Sequence, residues 1–350
     1  MSLSHVRIVG SGLIGTSIGL GLALKGVGVS MHDLDPRAQG LAEDLIKSPS
    51  NMPVDLVIFA TPIGALNSIL NEEFDANPKA GFIDIASVKS KVKVEVLTSK
   101  VPMSRFLPSH PMAGREVGGA ESARADLFQG RPWIIDSHGV DNDVLKMSSE
   151  LIELLGGHQV DLDSTEHDKA VALVSHLPQL VASLLAKQLN GGDEAWLELA
   201  GAGLRDTTRI AGSDSKLWRE IITANREALT PLLLALQSDL AQLISSLGDE
   251  NSVATLINEG QQGRARIPGK HGGKAREYTF LPIVIEDNPG QLAALFEECA
   301  QAEVNVEDLT IEHSPGQFTG LITLALSEID ATKLSVHLKS NGWSVHAPKK

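Results

Sequence analysis

A short β-branched run, Val6–Val9, leads directly into Gly10-Ser11-Gly12-Leu13-Ile14-Gly15 and then into a helical pattern over Leu13–Lys25. Each glycine in this spacing has a separate physical use. Gly10 allows a tight turn, Gly12 lets the backbone approach a pyrophosphate, and Gly15 permits close packing of helix on strand. The free N–H groups of the helix N-terminus then face the phosphates. A strand–loop–helix unit of this kind commits a chain to a doubly wound, mostly parallel sheet. The first 160 or so residues keep that rhythm, with further β-like runs at Val29–His32, Leu56–Phe59, Gly81–Asp84, Arg105–Pro108, Trp133–Asp136 and His158–Asp161. Segments of helical length such as Val144–Leu155 separate several of them.

Asp33 ends the second run, 18 residues beyond Gly15. A carboxylate there accepts hydrogen bonds from ribose hydroxyls and repels a 2′-phosphate, so NAD is expected rather than NADP. Leu34-Asp35-Pro36 adds no arginine, and Arg37 opens the next helix; Asp35 reads as that helix's N-cap. Leu13, Ile14 and Thr61 complete the expected cofactor-binding set with Gly10, Gly12, Gly15 and Asp33.

From about residue 163 to 262 strand runs vanish. Apolar residues recur at three- and four-residue spacing, as in Val171, Val174, Leu177, Val181, Leu184 and Leu185, and again from Leu229 to Leu243. This predicts an all-helical domain whose wide apolar faces close a deep bundle or a subunit interface. Gly263–Arg276, rich in glycine and in Lys/Arg, reads as a linker. Tyr278–His346 restarts as strand, helix, strand, strand, helix, strand, a βαββαβ order that suggests a small ferredoxin-like α+β module. The expected domains are thus 1–162, 163–262 and 278–350, with 263–277 between the last two.

Composition limits the function classes. With 30 Lys+Arg against 44 Asp+Glu the net charge is −14, which leaves no evident footprint for nucleic acid. A 42% apolar and 21% charged chain is globular, not disordered. No run of about 18 apolar residues and no leader-like start point to a membrane or to export. The single cysteine, Cys299, excludes an intramolecular disulfide or a cysteine-based zinc site, and a cytoplasmic setting is expected. No histidine pair at helical spacing with a companion acid suggests another metal site.

Three segments carry candidate chemistry. His110, in Pro108-Ser109-His110-Pro111-Met112-Ala113-Gly114, follows the fifth β-run, where strand ends line a cofactor crevice; a residue before proline is held extended. His176 lies in Val174-Ser175-His176-Leu177-Pro178, where Pro178 cannot donate to the Val174 carbonyl and should kink the helix. Arg205 and Arg209, four apart, would share one helix face able to hold a dianion, with Asp206 as a competing ion-pair partner.

These pieces, with Asp84-Ile85-Ala86-Ser87-Val88-Lys89 and Trp218, occur in an order and spacing that resembles the prephenate dehydrogenase family along nearly the whole chain. The tail, through Asp287-Asn288-Pro289-Gly290-Gln291-Leu292, resembles an ACT domain, an amino-acid-sensing module. The resemblance implies NAD-dependent oxidative decarboxylation of prephenate to 4-hydroxyphenylpyruvate in a homodimer. It implies that His110 accepts the ring-hydroxyl proton, with Ser87 as a second partner of that hydroxyl. It further implies substrate binding by Arg209 and His176, with Arg205, Glu116 and Trp218 near the cleft. Feedback by tyrosine or a related amino acid would act at Asp287, Asn288, Pro289 and Gly290. The rival readings are an arogenate dehydrogenase, against which Arg115 weighs slightly, a hydroxyacid dehydrogenase of similar build, and a non-catalytic NAD-responsive regulator.

Overall fold

The computed structural model describes residues 3–115, 117–267, 278–312 and 318–349. Glu116 and most of the basic Gly/Pro segment (268–277) lie outside the described residues. The chain divides into two compact units, one running to Ala241 and one from Gln242 onward.

In the first unit β1 (His5–Val9), α1 (Leu13–Ala23), β2 (Gly28–His32), α2 (Pro36–Ile46), β3 (Leu56–Phe59), α3 (Leu66–Ala76), β4 (Gly81–Asp84), α4 (Lys89–Leu97) and β5 (Phe106–Leu107) alternate. The strands form one parallel sheet in the order β2-β1-β3-β4-β5. β3 and β4 are buried along their whole length, as strands covered on both faces must be. Phe59, Phe82 and Phe106 stack across β3, β4 and β5, with centroids 6.2 Å apart for the first pair and 6.4 Å for Phe59 and Phe106. Asp35 caps α2 by accepting from the Arg37 N–H at 2.9 Å.

The seven β-runs do not join a single sheet. β6 (Ser109–Pro111), β7 (Pro132–Ile135) and β8 (His158–Asp161) form a second sheet, in which β6 runs antiparallel to β7. Pro108 explains the break. It has no N–H to extend the ladder of β5, while its carbonyl accepts from Asp136 N and so hands the chain to the second sheet. His110 therefore sits within a strand, paired with Ile134, rather than in a loop beyond the fifth strand. α5 (Asn142–Leu154) precedes β8 and buries Val144, Leu151 and Ile152.

Helices follow: α6 (Ser164–Val171), a π-helical turn (Ala172–His176), α7 (Leu177–Gln188), α8 (Glu194–Leu197), α9 (Ala202–Thr208), α10 (Ser215–Ala224) and α11 (Arg226–Ser246). The π turn lies where Pro178 frees the Val174 carbonyl, so the disturbance takes the form of a widened turn. The four-residue spacing of Arg205 and Arg209 does not fall on one regular helix: α9 stops at Thr208 and Arg209 opens a 3₁₀ turn, Arg209–Gly212. Only Leu229 is buried on α11. By length and composition Ser164–Gly191 and Arg226–Ser246 are long and apolar enough to cross a bilayer. The first carries His167, Asp168 and His176 buried within the fold, which is packing against protein.

In the second unit α12 (Glu250–Ala265) continues through Gly263, so the first three residues of the expected linker are helical. β9 (Thr279–Glu286), α13 (Gln291–Gln301), β10 (Asp308–Glu312), β11 (Thr319–Leu326), α14 (Glu328–Ser340) and β12 (Ser344–Val345) then give the expected element order. The strands form an antiparallel sheet in the order β10-β11-β9-β12. Leu281, Ile283, Ile322 and Leu324 pack with Leu295, Cys299, Leu334 and Leu338 of the two helices.

The glycine loop is sterically closed at two points. Gly10 has φ +110°, and a Cβ on Gly15 would lie 2.0 Å from the Gly10 carbonyl oxygen, whereas the space at Gly12 is open. Gly15→Ala is expected to destabilise the protein by about 1–3 kcal/mol, as overpacking against backbone does. Gly12→Ala should stay within about 0.5 kcal/mol. Denaturant unfolding of both variants without added dinucleotide checks the difference.

Candidate active site

A cavity of ≈ 470 Å³ opens between the sheet-bearing half and the helices of the first unit. Ser87, His110 and Met112–Arg115 form one wall, and His176, Gln179, Ile210 and Trp218 are among the residues of the other.

The first wall is built on buried polar groups. Asp84 ends β4 and Lys89 opens α4; the Lys89 ammonium is buried against the Asp84 carboxylate and also donates to the Ser109 carbonyl. Ser109 is held again by its N–H to Asp84 Oδ1 at 3.1 Å, and its Oγ accepts from the Trp133 indole at 3.0 Å. Ser109 Oγ also donates to the Asp84 carbonyl at 2.6 Å, and with its predecessor fixed at four points, His110 has little freedom to leave the cavity wall. Ser87 lies between Asp84 and Lys89 in sequence and reaches the same cavity.

His110 is half-buried. Its Nδ1 lies 2.9 Å from His167 Nε2, with the two rings edge to face at 70°. Burial, followed by the neighbouring His167, Lys89 and His176, holds its imidazole well below the ordinary 6.5, so it is neutral near pH 7. His167 in turn has Nδ1 2.8 Å from Asp168 Oδ1. The Asp168 carboxylate accepts the Lys89 and Ser90 backbone N–H groups, each at 2.8 Å, at the N-terminus of α4. Burial alone would raise its carboxyl pKa, but hydrogen bonds from His167, Ser90 and Lys89 outweigh this and hold it below the usual range.

On the opposite wall His176 is buried and meets the Trp218 ring edge to face, centroids 6.0 Å apart. The Asn225 amide nitrogen donates to the Asp168 carbonyl at 2.8 Å and lies 3.0 Å from His176 Nδ1. A carbonyl only accepts, so the amide group facing both is the NH₂, and His176 Nδ1 is the acceptor. Its proton is then on Nε2. Burial pushes His176 down to about 4, against the opposing charge of Asp168. It is a neutral hydrogen-bond donor, not a cation. Gln179, buried beside it, donates to the Ile210 carbonyl at 2.9 Å.

The structure thus brings together Ser87, His110, His176 and Trp218. Arg205 and Arg209 are exposed and do not line the cavity, although Ile210, next to Arg209, does. Arg115 lines it and donates to the Ser122 carbonyl.

Sequence reasoning passed over His167, Asp168, Gln179 and Asn225. A signal was available: the buried face of α6 is Ser164, His167, Asp168 and Val171, a core-type i, i+3, i+4, i+7 stripe filled mostly by polar residues. Asp136, His138 and Asp163 also place ligand-type atoms within 4.8 Å of one another. The Asp136 carboxylate is already engaged by Lys93, Ser164 and His138.

The dinucleotide cradle lies in the same unit. Asp33 Oδ2 accepts the Ser11 N–H at 2.6 Å and Oδ1 accepts the Asp35 N–H at 2.9 Å. Both bonds fix the carboxylate at the end of β2. Ser11 Oγ and Thr61 Oγ1 are buried side-chain atoms with no protein partner, one in the glycine loop and one just after β3. Unpaired buried hydroxyls, an open approach at Gly12 and a fixed acid together suit a dinucleotide.

Comparison with known proteins agrees with this arrangement. Residues 29–161 match the nucleotide-binding domain of prephenate dehydrogenase and residues 163–257 its dimerization domain. The probable prephenate dehydrogenase NovF of Streptomyces niveus is 29% identical over 357 residues, covering 97% of this chain and 99% of that protein. A structure of prephenate dehydrogenase from Aquifex aeolicus in complex with hydroxyphenyl propionate and NAD+ is similar at TM-score 0.65 and 25% identity, over 75% of this chain and 98% of that one. Arogenate dehydrogenase from Synechocystis is similar at TM-score 0.63 and 25% identity, over 74% of this chain and 98% of that one. Matched in order by both domains across residues 29–257, the chain belongs to the prephenate dehydrogenase family.

Proposed function

We propose that this chain catalyses the NAD-dependent oxidative decarboxylation of prephenate to 4-hydroxyphenylpyruvate. The observation that carries the reading is a neutral imidazole, His110, on the wall of a cavity it shares with Ser87 and His176. The glycine loop, Asp33 and Thr61 hold NAD, which when bound supplies the hydride acceptor. His110 takes the proton of the ring hydroxyl as that carbon gains carbonyl character. It returns the proton when the ring carboxylate leaves as carbon dioxide and the ring becomes a phenol. Ser87 hydrogen-bonds the same hydroxyl and orients it. His176 donates from Nε2 to the substrate, and Trp218 packs at the cleft edge.

Prephenate carries two carboxylates, and the histidines, being neutral, cannot balance them. Arg209, which does not line the cavity in the single chain but adjoins Ile210, which does, takes one carboxylate with Arg205 in support, and Arg115 adds positive charge at the cavity. Arg115 also favours a keto acid over the ammonium side chain of arogenate; turnover on the two substrates separates these readings. Glu116, six residues past His110 in the sequence, is the acidic member of the substrate-binding set.

The same reading makes the protein a cytoplasmic homodimer. The apolar side chains of the helices, Leu184, Leu240 and Ile244 among them, are exposed in the single chain, and the matched segment is a dimerization domain. It also makes the Thr279–Val345 module an ACT domain. Its four-stranded antiparallel sheet and βαββαβ order support that, as does the turn where Gly290 takes φ +93° before α13. An amino-acid effector, tyrosine first, would bind at Asp287–Gly290.

Four outcomes test this reading. His110→Asn should lower kcat by about 10²- to 10⁴-fold while leaving NAD affinity intact, measured by NADH absorbance and dinucleotide titration. Because the His110 pKa is lowered, the base stays unprotonated as pH falls through 6.5. Wild-type kcat/KM should therefore hold its neutral-pH value there and decline only in more acid solution. Arg209→Gln should raise the prephenate KM by about 10- to 100-fold, the loss of one charged hydrogen bond, with the NAD KM unchanged. Asn288→Ala should abolish inhibition by tyrosine and leave basal turnover as it was, in assays with and without the amino acid.

A further inference from the structure

The contacts of His110 on its buried side bear on a question the cavity alone does not answer, namely which ring nitrogen is free to take a proton. Asp168 is the fixed end of the chain. Two backbone N–H groups at the start of α4 hold its carboxylate, one on each oxygen. An ionised carboxylate only accepts hydrogen bonds, so the ring nitrogen 2.8 Å from it, His167 Nδ1, carries a proton. With Nδ1 as the donor of that ring, His167 Nε2 is the nitrogen left to accept. It lies 2.9 Å from His110 Nδ1, and a hydrogen bond at that distance needs one proton between the two nitrogens. His110 supplies it. Its Nδ1 carries hydrogen, and its Nε2 is left bare.

We propose that His167, oriented by Asp168, is a positioning residue that fixes His110 in the Nδ1–H tautomer and so leaves Nε2 as the proton acceptor of the cavity. The inference rests on the function proposed above for its catalytic consequence and on geometry alone for the tautomer. The bond also serves after proton uptake. The imidazolium formed on His110 keeps donating from Nδ1 to a ring polarised by Asp168, and no proton has to leave through the buried side. The other charged or titratable groups facing His110 are Lys89, paired with Asp84, and His176, whose Nδ1 is engaged by Asn225. Neither is hydrogen-bonded to either nitrogen of His110 among the described residues, so the tautomer is set through His167. His167 is fully buried and does not line the cavity, which separates its role from substrate binding.

The test is the tautomer of His110, read by long-range ¹H–¹⁵N correlation on the full-length protein, together with steady-state kinetics. In the wild type the spectrum should show hydrogen on Nδ1. His167→Phe removes the acceptor at similar volume. It should move His110 toward the Nε2–H form and lower kcat by on the order of 10²-fold, with the prephenate KM and NAD affinity near their wild-type values. His167→Gln, whose amide oxygen can accept from Nδ1, should restore the Nδ1–H form and most of kcat. An Nε2–H tautomer in the wild type, or His167→Phe with both tautomer and kcat unchanged, overturns the proposal. Should His167→Phe not fold, the wild-type spectrum and His167→Gln decide. A wild type that makes no NADH from prephenate, yet loses the Nδ1–H form in His167→Phe, refutes the proposed reaction and upholds the positioning role.

Discussion

The buried ammonium of Lys89 is the constraint on which the first wall of the cavity depends. It is in contact with Asp84 at the end of β4 and with the carbonyl of Ser109 in β6, so one side chain joins the parallel sheet to the smaller second sheet. The backbone N–H of the same residue holds Asp168 at the start of the helices. Removing one partner of a buried ion pair costs about 3–5 kcal/mol, because the other is left charged and unpaired. Ser87, His110 and the His167–Asp168 pair are therefore placed by an arrangement that is expensive to loosen. Flexible loops could not hold two imidazoles at hydrogen-bond distance in this way.

The electrostatics of the cleft follow from that burial. His110 and His176 both stay neutral near pH 7, one as an acceptor and one as a donor, although their ordinary pKa values are the same. What distinguishes them is the hydrogen-bonding neighbour of Nδ1: His167 for the first and Asn225 for the second. Charge for a dianionic substrate has to come from arginine, whose guanidinium does not deprotonate in proteins and pairs well with carboxylates. In a chain of net charge −14, local cations also overcome the general repulsion of an anionic ligand.

Much of the architecture was legible from local chemistry. The glycine loop, the Asp35 cap, the disturbance at Pro178 and the six-element tail each follow from backbone stereochemistry or from a clear period, and such signals survive in a single sequence. The change of sheets at Pro108 was not legible, because Ser109–Pro111 reads only as the segment after the run Arg105–Pro108 until its pairing with β7 is known. Nor was the role of His167 and Asp168. Their adjacency in sequence carries no information about which ring nitrogen meets which oxygen, and the importance of Asp168 comes from Lys89 and Ser90, 79 and 78 positions away. Arg205 and Arg209 show the reverse case. A four-residue spacing implies a shared face only while the helix stays regular, and here it tightens at Arg209.

The π turn at Ala172–His176 gives the long helix a phase that an uninterrupted α-helix would lack. Each residue of an α-helix turns the next by about 100°. Closing this turn into a regular α-helix with all its residues kept would rotate everything C-terminal by about that angle relative to α6. His167 and Asp168 would keep their places, while His176 and Gln179 would swing off the cavity. The widened turn is therefore as much a determinant of the cleft as the identity of any side chain in it, and a one-residue gap here in an otherwise similar sequence would mark a regular α-helix that presents the same distal wall.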